Sequence, residues 1–455
     1  MIRASPAIRR LVNEGRLWRY QPVNTEQWIS ADKAHCWHPF TRQDEWVAGE
    51  PVEPLVLVDG DGIWLTDSEG RRYMDGNASI WTNVHGHKHP VINAAVVAQL
   101  GKVAHTSYLG FANPRASELA ERLCGYFPPH TLERVFFSDD GSTAVECAVK
   151  MAIQYRLQTG QEQRTGFIAF DQCYHGDTMG AASLGGVGAF FDRFRQFGFP
   201  VSHVRGIEDL TGLDQEKIDR TAAVIIEPLV QGVNQIRPWP AGMLADLRAW
   251  CDRYGIHLIL DEVMTGFGKT GTMFACQQEH VIPDFLCLAK GLTGGYLPMA
   301  ATMVKGEIYR AFLGGADRAF YYGHSYTGNQ LGCAAALASL DVFEQEKTLE
   351  KLPGKIELLG QLLAGLAADR PVVHDIRQCG LVAGVELRTK TGEPFDPALK
   401  VGERVSLLAR QHQLLTRPIR DTLVVMPPLS ISADEIRLMC AALAHAMDDY
   451  FNNAQ

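Results

Sequence analysis

The run His257–Glu262, HLILDE, carries an apolar strand onto two acids, and the next apolar run, PDFLCLA, delivers Lys290 immediately before GLTGG. A lysine that follows such a run is drawn out of water, which lowers its pKa and makes its amine both nucleophile and proton carrier. Glycines behind it let backbone approach closely. Side chains alternate along a strand, so Asp261 and Glu262 point to opposite faces. A magnesium site, which wants a second carboxylate in reach, therefore fits less well than one inward carboxylate forming an ion pair. One buried amine and one inward carboxylate are what pyridoxal phosphate requires: the amine holds its aldehyde and the carboxylate keeps its ring nitrogen protonated. Glu262 is left to hold a backbone or lysine partner.

Other segments offer the remaining contacts of such a cofactor. Gly141 and Ser142 open a helix behind the strand VFFS, and free N–H groups at a helix start beside a hydroxyl can cradle phosphate. An ordinary helix cap is compatible, because the same groups do both; Asp140 is expected to turn away or cap the helix. In CYHGDTMGA, Tyr174 can stack on an aromatic ring, His175 can form a local hydrogen bond, and Asp177 shares the loop. Trp81, in NASIWTNVHGHKHP, offers an apolar wall for a substrate. The alternating His85, His87 and His89 have no acid or cysteine alongside, so no metal is expected. MTGFGKTG lacks the complete pattern of a nucleotide phosphate loop.

These groups need elements to position them. Strands are read at 135–138, 166–170, 222–228, 256–262 and 285–291, with helices over 142–157 and 243–254 and a helix start near Asp177. Apolar strands separated by helices predict an α/β fold with a mainly parallel sheet covered on both faces. Ser138, Glu227, Asp261 and Lys290 fall at the carboxyl ends of four strands, where such sheets bind ligands. The segment 54–75 reads as a hairpin of two alternating runs with Asp-Gly turns. Beyond about residue 335, helices over 332–347 and 352–368, two apolar runs and a helix from Ser432 to about Asp449 read as a smaller α+β lobe. The domain division expected is an N-terminal segment with the small hairpin sheet at 1–75, a large domain at 76–335 and a small domain at 336–455.

Composition sets the class. The chain of 455 residues is 46% hydrophobic with a formal charge of −9 and no basic tract, which argues against nucleic-acid and acidic-membrane partners. Its ten cysteines form no CxxC pair and read as reduced. The start, MIRASPAIRRLVNEG, has arginines at 3, 9 and 10 but no apolar core run, so no secretory signal is read there and a cytoplasmic enzyme is expected. Trp18, Trp28, Trp37 and Trp46 are expected to pack on the body of the protein.

Assembled, these residues resemble the class-III aminotransferases of fold type I. The class motifs are IIEPLVQG, LDEVMTGFGKTG and LCLAKGLTGGYLP. WHPFT, WTNVHGHKHP, YHGDTMGA, GHSYTGNQLGCAAAL and LLTRPIRD resemble the branch that transaminates 8-amino-7-oxononanoate to 7,8-diaminononanoate in biotin synthesis. The similarity runs from about residue 35 onward. It implies a large domain built on a mainly parallel seven-stranded sheet beside a smaller α+β domain, with pyridoxal 5'-phosphate as cofactor. Lys290 becomes the lysine that holds the cofactor and Asp261 the partner of its ring nitrogen. Gly141 and Ser142 bind its phosphate and Tyr174 stacks on its ring. Ser325 matches a residue that reaches the phosphate of the neighbouring subunit, implying a homodimer with composite sites. Phe40, Trp81, Tyr174, Asp177, Gly323 and Arg417 contact substrate, Arg417 by a paired bond to the acceptor's carboxylate.

Three positions depart from the pattern of the branch using S-adenosyl-L-methionine as amino donor. Phe40 replaces a tyrosine, Ile80–Trp81 replaces a paired tryptophan, and Val424 stands where tyrosine can occur. Adenosylmethionine is the donor expected, with lysine as the alternative. An omega-amino acid or diamine:pyruvate aminotransferase would share Lys290, Asp261 and the phosphate site. A non-catalytic protein on the same fold would leave the buried lysine and carboxylate unexplained.

Overall fold

The computed structural model describes residues 24–453; Trp18 and the arginines at 3, 9 and 10 lie outside that range. The chain divides into two compact units: residues up to Gly60 with Leu65–Tyr73, and Asp61–Trp64 with Met74 onward. In the first, the helix Thr25–His35 starts at Asn24, whose side chain accepts the Gln27 N–H. A second helix, Gln43–Ala48, stops at Gly49 in the left-handed region. Trp46 is half-buried there, donating to Asp32 at 2.9 Å. Trp28 and Trp37 are 57% and 88% exposed, against the expectation that these tryptophans are packed away.

The second unit is organised by a seven-stranded sheet. Its strands are β1 (Leu132–Ser138), β2 (Gly166–Phe170), β3 (Val201–Val204), β4 (Thr221–Ile226), β5 (His257–Asp261), β6 (Phe285–Leu288) and β7 (Ala300–Lys305). They lie in the order β1-β7-β6-β5-β4-β2-β3. All run in one direction except β7, which is antiparallel to both β6 and β1. The central strands are buried along their whole length, as expected of a sheet covered on both faces. Along β5 and β6, Ile259, Phe285 and Cys287 face one cluster while Leu258, Leu260, Leu286 and Leu288 face the other. The first cluster is closed by Ala144, Val145, Ala148 and Ala152 of the helix α1 (Gly141–Gln158). The second is closed in part by Leu244, Leu247 and Trp250 of the helix α2 (Met243–Tyr254). Each of the larger side chains among them, such as Leu258 or Phe285, contributes about 1.5–3 kcal/mol by leaving water.

Two strands, β3 and β7, lack the length or flanking signal to be read from sequence, and the run at 285–291 forms a strand only to Leu288. The segment expected to be a two-stranded hairpin forms three short strands, Leu57–Asp61, Trp64–Asp67 and Arg72–Asp75. Its last strand pairs Met74 and Asp75 in parallel with Leu414 and Leu415. Farther along, Val373–Cys379, Val382–Leu387, Thr422–Val425 and Pro418–Ile419 form an antiparallel sheet. Among the described residues, no helix is long and apolar enough to cross a membrane.

After β6 the backbone folds tightly against the loop at 82–83. A Cβ on Gly295, whose φ is +85°, would stand 2.8 Å from backbone atoms of Thr82 and Asn83. Replacing Gly295 by Ala adds left-handed strain to that collision, so it should cost about 2–3 kcal/mol. The measurement is the shift in unfolding midpoint; an unchanged midpoint would show that the two backbones are free to separate.

Candidate active site

Lys290 follows β6 by two residues and opens a short 3-10 turn with its own φ at +39°. Its amine stands 4.8 Å from the centre of the Trp81 ring. Burial holds its pKa below that of an ordinary lysine, while Asp261 and Glu227 pull the other way. Asp261 ends β5, in register with Cys287 of β6. Its Oδ2 is 2.7 Å from Nδ1 of His175, and its Oδ1 accepts the Val263 N–H. Burial alone would lower the pKa of His175. Cys173 and the Asp261 bond outweigh it and hold the imidazole well above its usual value. His175 therefore acts on the strand-end acid rather than as a local cap.

Glu227, just past β4, accepts the backbone N–H groups of Tyr174 and Gly232, and burial pushes its pKa up to about 7. Glu262 accepts the Ala275 and Cys276 amides from the far face, the backbone role expected for it. Together these bonds fix the loops around the strand ends that carry Lys290 and Asp261.

At the start of α1, Asp140 caps the helix by accepting the Thr143 N–H. The Gly141 and Ser142 amides have no acceptor among the described residues. Gly141 is pressed against Val263, where a Cβ would meet Cγ1 at 2.6 Å. The Ser142 hydroxyl accepts the Asp177 amide at 3.2 Å, and the Tyr174 hydroxyl donates to Asp177 at 2.6 Å. Burial and that carboxylate raise the Tyr174 pKa. Its ring is near-parallel to Phe191, centroids 6.2 Å apart. The Ser138 hydroxyl and Nε2 of His175 are buried without a hydrogen-bond partner.

Lys290, Asp261, Trp81, Tyr174, Asp177, Gly141 and Ser142 thus fall into one connected neighbourhood. Ser325 and Gly323 lie on an exposed segment, where His105 reaches the Ser325 carbonyl. Arg417 is exposed, and its guanidinium makes no hydrogen bond or ion pair with a described residue. Phe40, in the first unit, is 57% exposed. The three histidines go to separate partners: His85 to Ser339, His87 to Asp75 and His89 to Glu346.

Two features escape sequence reasoning. Lys269, in the glycine-rich loop after β5, is fully buried and donates to the Asn83 carbonyl at 3.0 Å. Four consecutive non-glycine residues, Ala78, Ser79, Ile80 and Trp81, have φ between +43° and +68°. A left-handed turn of L-residues costs roughly 1–2 kcal/mol per residue, and composition carries no signal for it.

Comparison places this geometry in a family. Residues 47–447 match the model for "Aminotransferase class-III", and the chain belongs to that family. It is 46% identical over 436 residues to the adenosylmethionine-8-amino-7-oxononanoate aminotransferase of Geobacter sulfurreducens, covering 90% of this chain and 95% of that one. The crystal structure of the enzyme of that name from Methanocaldococcus jannaschii superposes with a TM-score of 0.90 at 37% identity, over 94% of this chain and 99% of the other. An amine transaminase from an uncultivated Pseudomonas species, solved in its PLP-bound internal aldimine form, gives a TM-score of 0.84 at 35% identity, over 91% and 98%.

Burial, with Lys290 nearby, depresses the pKa of Lys269 from 10.5 to about 7, against the pull of Asp75. A depressed folded-state pKa contributes stability that is complete above the unfolded value and is lost as pH falls toward the folded one. Between pH 7 and 10 the stability of the native chain relative to Lys269→Met should rise by up to about 3 kcal/mol. Denaturant unfolding of both proteins at the two pH values measures it, and a flat difference would mean that Lys269 keeps its proton when buried.

Proposed function

We propose that the chain transfers an amino group to 8-amino-7-oxononanoate, giving 7,8-diaminononanoate in biotin synthesis, with S-adenosyl-L-methionine as donor. The observation that carries this is the Lys290 amine, desolvated near a strand-end carboxylate that His175 holds, in a chain of the class-III aminotransferase family. The relatives' names supply the substrate pair.

The residues fit pyridoxal phosphate. An amine with a lowered pKa, a strand-end carboxylate, an open helix start at Gly141 and Ser142, and the unpartnered Ser138 hydroxyl lie at the carboxyl ends of β1, β5 and β6. When bound, that cofactor supplies a covalent handle for amines and a sink for electrons. Lys290 would hold it and carry protons to and from the substrate carbon. Asp261, bonded to His175, would hold the ring nitrogen in its protonated form. The Gly141 and Ser142 amides would bind the phosphate, and Tyr174 would stack on the ring while its bond to Asp177 fixes the edge of the donor pocket. Trp81 would wall the substrate, with Gly323 beside it, and Phe40 keeps the substrate contact that its motif implies. Arg417 would take the acceptor's carboxylate in a paired bond.

Ser325 would reach the phosphate of a second subunit, making the working unit a homodimer with composite sites; its exposure in the single chain fits a partner across that surface. The division at 76–335 and 336–455 and a cytoplasmic location complete the reading. Lysine as donor remains the second reading, favoured by Phe40 and Val424, which lack the hydroxyls of the adenosylmethionine pattern. A donor panel of adenosylmethionine against lysine, with the oxononanoate as acceptor, decides between them. A chain active only toward omega-amino acids or diamines and pyruvate would overturn both.

Lys290→Ala should lose turnover by several orders of magnitude, with the yellow colour of the purified protein lost and its melting behaviour retained. Near-normal turnover would end the assignment. Arg417→Lys keeps the charge but loses the planar fork. Its acceptor half-reaction should weaken about 10- to 100-fold in kcat/KM, from the loss of one charge-assisted bond, with a smaller effect on the donor half-reaction. Single-turnover rates measured separately decide it; an unchanged acceptor half-reaction would mean that the carboxylate is held elsewhere.

A further inference from the structure

The left-handed turn Ala78–Trp81 is held by one buried acid. Asp75 is 3% exposed; its Oδ1 accepts the Ser79 amide at 2.9 Å and its Oδ2 the Ser79 hydroxyl at 2.7 Å. His87 stands 3.1 Å from Oδ2 through Nε2. The other ring nitrogen of His87 faces the Asn83 amide nitrogen, which can only donate, so Nε2 carries the proton and donates to Asp75. Asn83 in turn accepts the Gly86 amide through its side chain and the Lys269 amine through its carbonyl. At the far end of the turn, Asn77 accepts the Trp81 indole N–H at 2.8 Å and the Trp81 amide at 2.9 Å.

What the turn achieves is the placement of Trp81. Ser79 and Ile80 are exposed, Ile80 by 48%, so burial of their side chains does not offset the strain. The Trp81 ring is instead set over the Lys290 amine at 4.8 Å. Behind it lies Gly232, where a Cβ would meet Cζ3 of the indole at 3.1 Å and the Met264 methyl at 3.1 Å. A side chain at 232 would crowd the ring, so the glycine leaves the ring the place to which the turn delivers it. A residue run held in a sparsely populated conformation beside a reacting group points to function when its surroundings over-determine it.

We propose that Asp75 is a positioning residue for the transamination: it holds the left-handed turn that sets the Trp81 ring over the Lys290 amine. In its protonated form the amine is attracted to the ring face, which confines it there between proton transfers. This rests on Lys290 being the reacting amine. It adds a contact two steps removed from the chemistry, through Ser79 and Trp81.

Asp75→Asn preserves size but sets an amide against the His87 N–H. Turnover per cofactor-loaded site should fall about 10- to 100-fold, as expected for a reacting group displaced by a fraction of an ångström to one ångström, with KM for the acceptor changed less than kcat. Adding Ile80→Gly, which lets the exposed centre of the turn adopt its conformation without strain, should restore much of the lost rate. A merely structural role would lower the melting temperature and leave turnover per loaded site within twofold of the unaltered protein, which overturns the proposal. So does an Ile80→Gly double variant that regains melting temperature but no rate. If Asp75→Asn fails to fold, Ser79→Ala carries the test: a several-fold fall in turnover supports the proposal and unchanged turnover overturns it. Lys290→Ala is assayed alongside; activity surviving in it would overturn the assignment of the amine and this inference with it, whereas its loss beside an unaffected Asp75→Asn overturns this inference alone.

Discussion

Keeping an amine out of water is the constraint around which the second unit is arranged. A lysine at the surface is protonated at neutral pH and useless as a nucleophile. Burial holds the Lys290 pKa below that of such a lysine, because β6, buried along its length, ends two residues before it and the chain then turns sharply inward. Desolvation is opposed by the acids at the neighbouring strand ends, Asp261 and Glu227. Were both fully ionised and unpaired, they would hold the proton on the amine. The Asp261 charge is instead engaged by His175, and burial lifts the Glu227 pKa toward neutrality. The amine is thus left with less negative charge around it than a count of its carboxylates suggests.

The parallel arrangement makes this economical in chain length. Strands β4, β5 and β6 all finish on the same edge, so Glu227, Asp261 and Lys290 converge without any loop having to cross the core. The tight fold of backbone after Lys290 follows from the same demand. Gly291 lies within 3.2 Å of the Phe267 and Val84 side chains at its notional Cβ, and Gly295 abuts Thr82 and Asn83. These glycines admit the loop that carries Trp81 to within reach of the amine. A bulkier residue at either point would lift that loop and open the amine to solvent.

The sheet strands that bear chemistry are legible in the sequence because they are continuous apolar runs ending on a polar residue, a pattern that only a strand buried on both faces explains. Lys290, Asp261 and the helix opened by Gly141 follow from that pattern alone. Strands β3 and β7 are not legible: VSHV alternates weakly, and AATMVK lacks turn residues immediately before it. His175 is visible as a polar residue in a loop, but its partner lies 86 residues away, and no local spacing specifies such a bond. The left-handed turn is less legible still, since Ala, Ser, Ile and Trp are residues that avoid that conformation. Only Asp75 and Asn77 supply a reason for it, and their bonds exist only once the chain has folded. Ser325, Gly323, Phe40 and Arg417 rest on motif resemblance, since their proposed partners are a second subunit and substrates.

Lys269 shows how far the electrostatic balance extends. It sits in the loop after β5, donates to the Asn83 carbonyl of the network that holds the turn, and has its charge disfavoured by the nearby Lys290. Asp75, whose charge acts on Lys269, already accepts from Ser79 and His87. It draws the Lys269 pKa up but does not overcome burial, which leaves it near 7. Near neutral pH the Lys269 charge is therefore easily given up, and its loss removes a repulsion from the site. A surface lysine in the same position along the chain would stay charged and could shed its field into water. Buried, Lys269 instead carries its charge inside the protein, where Asp75 of the turn favours it and the Lys290 amine opposes it.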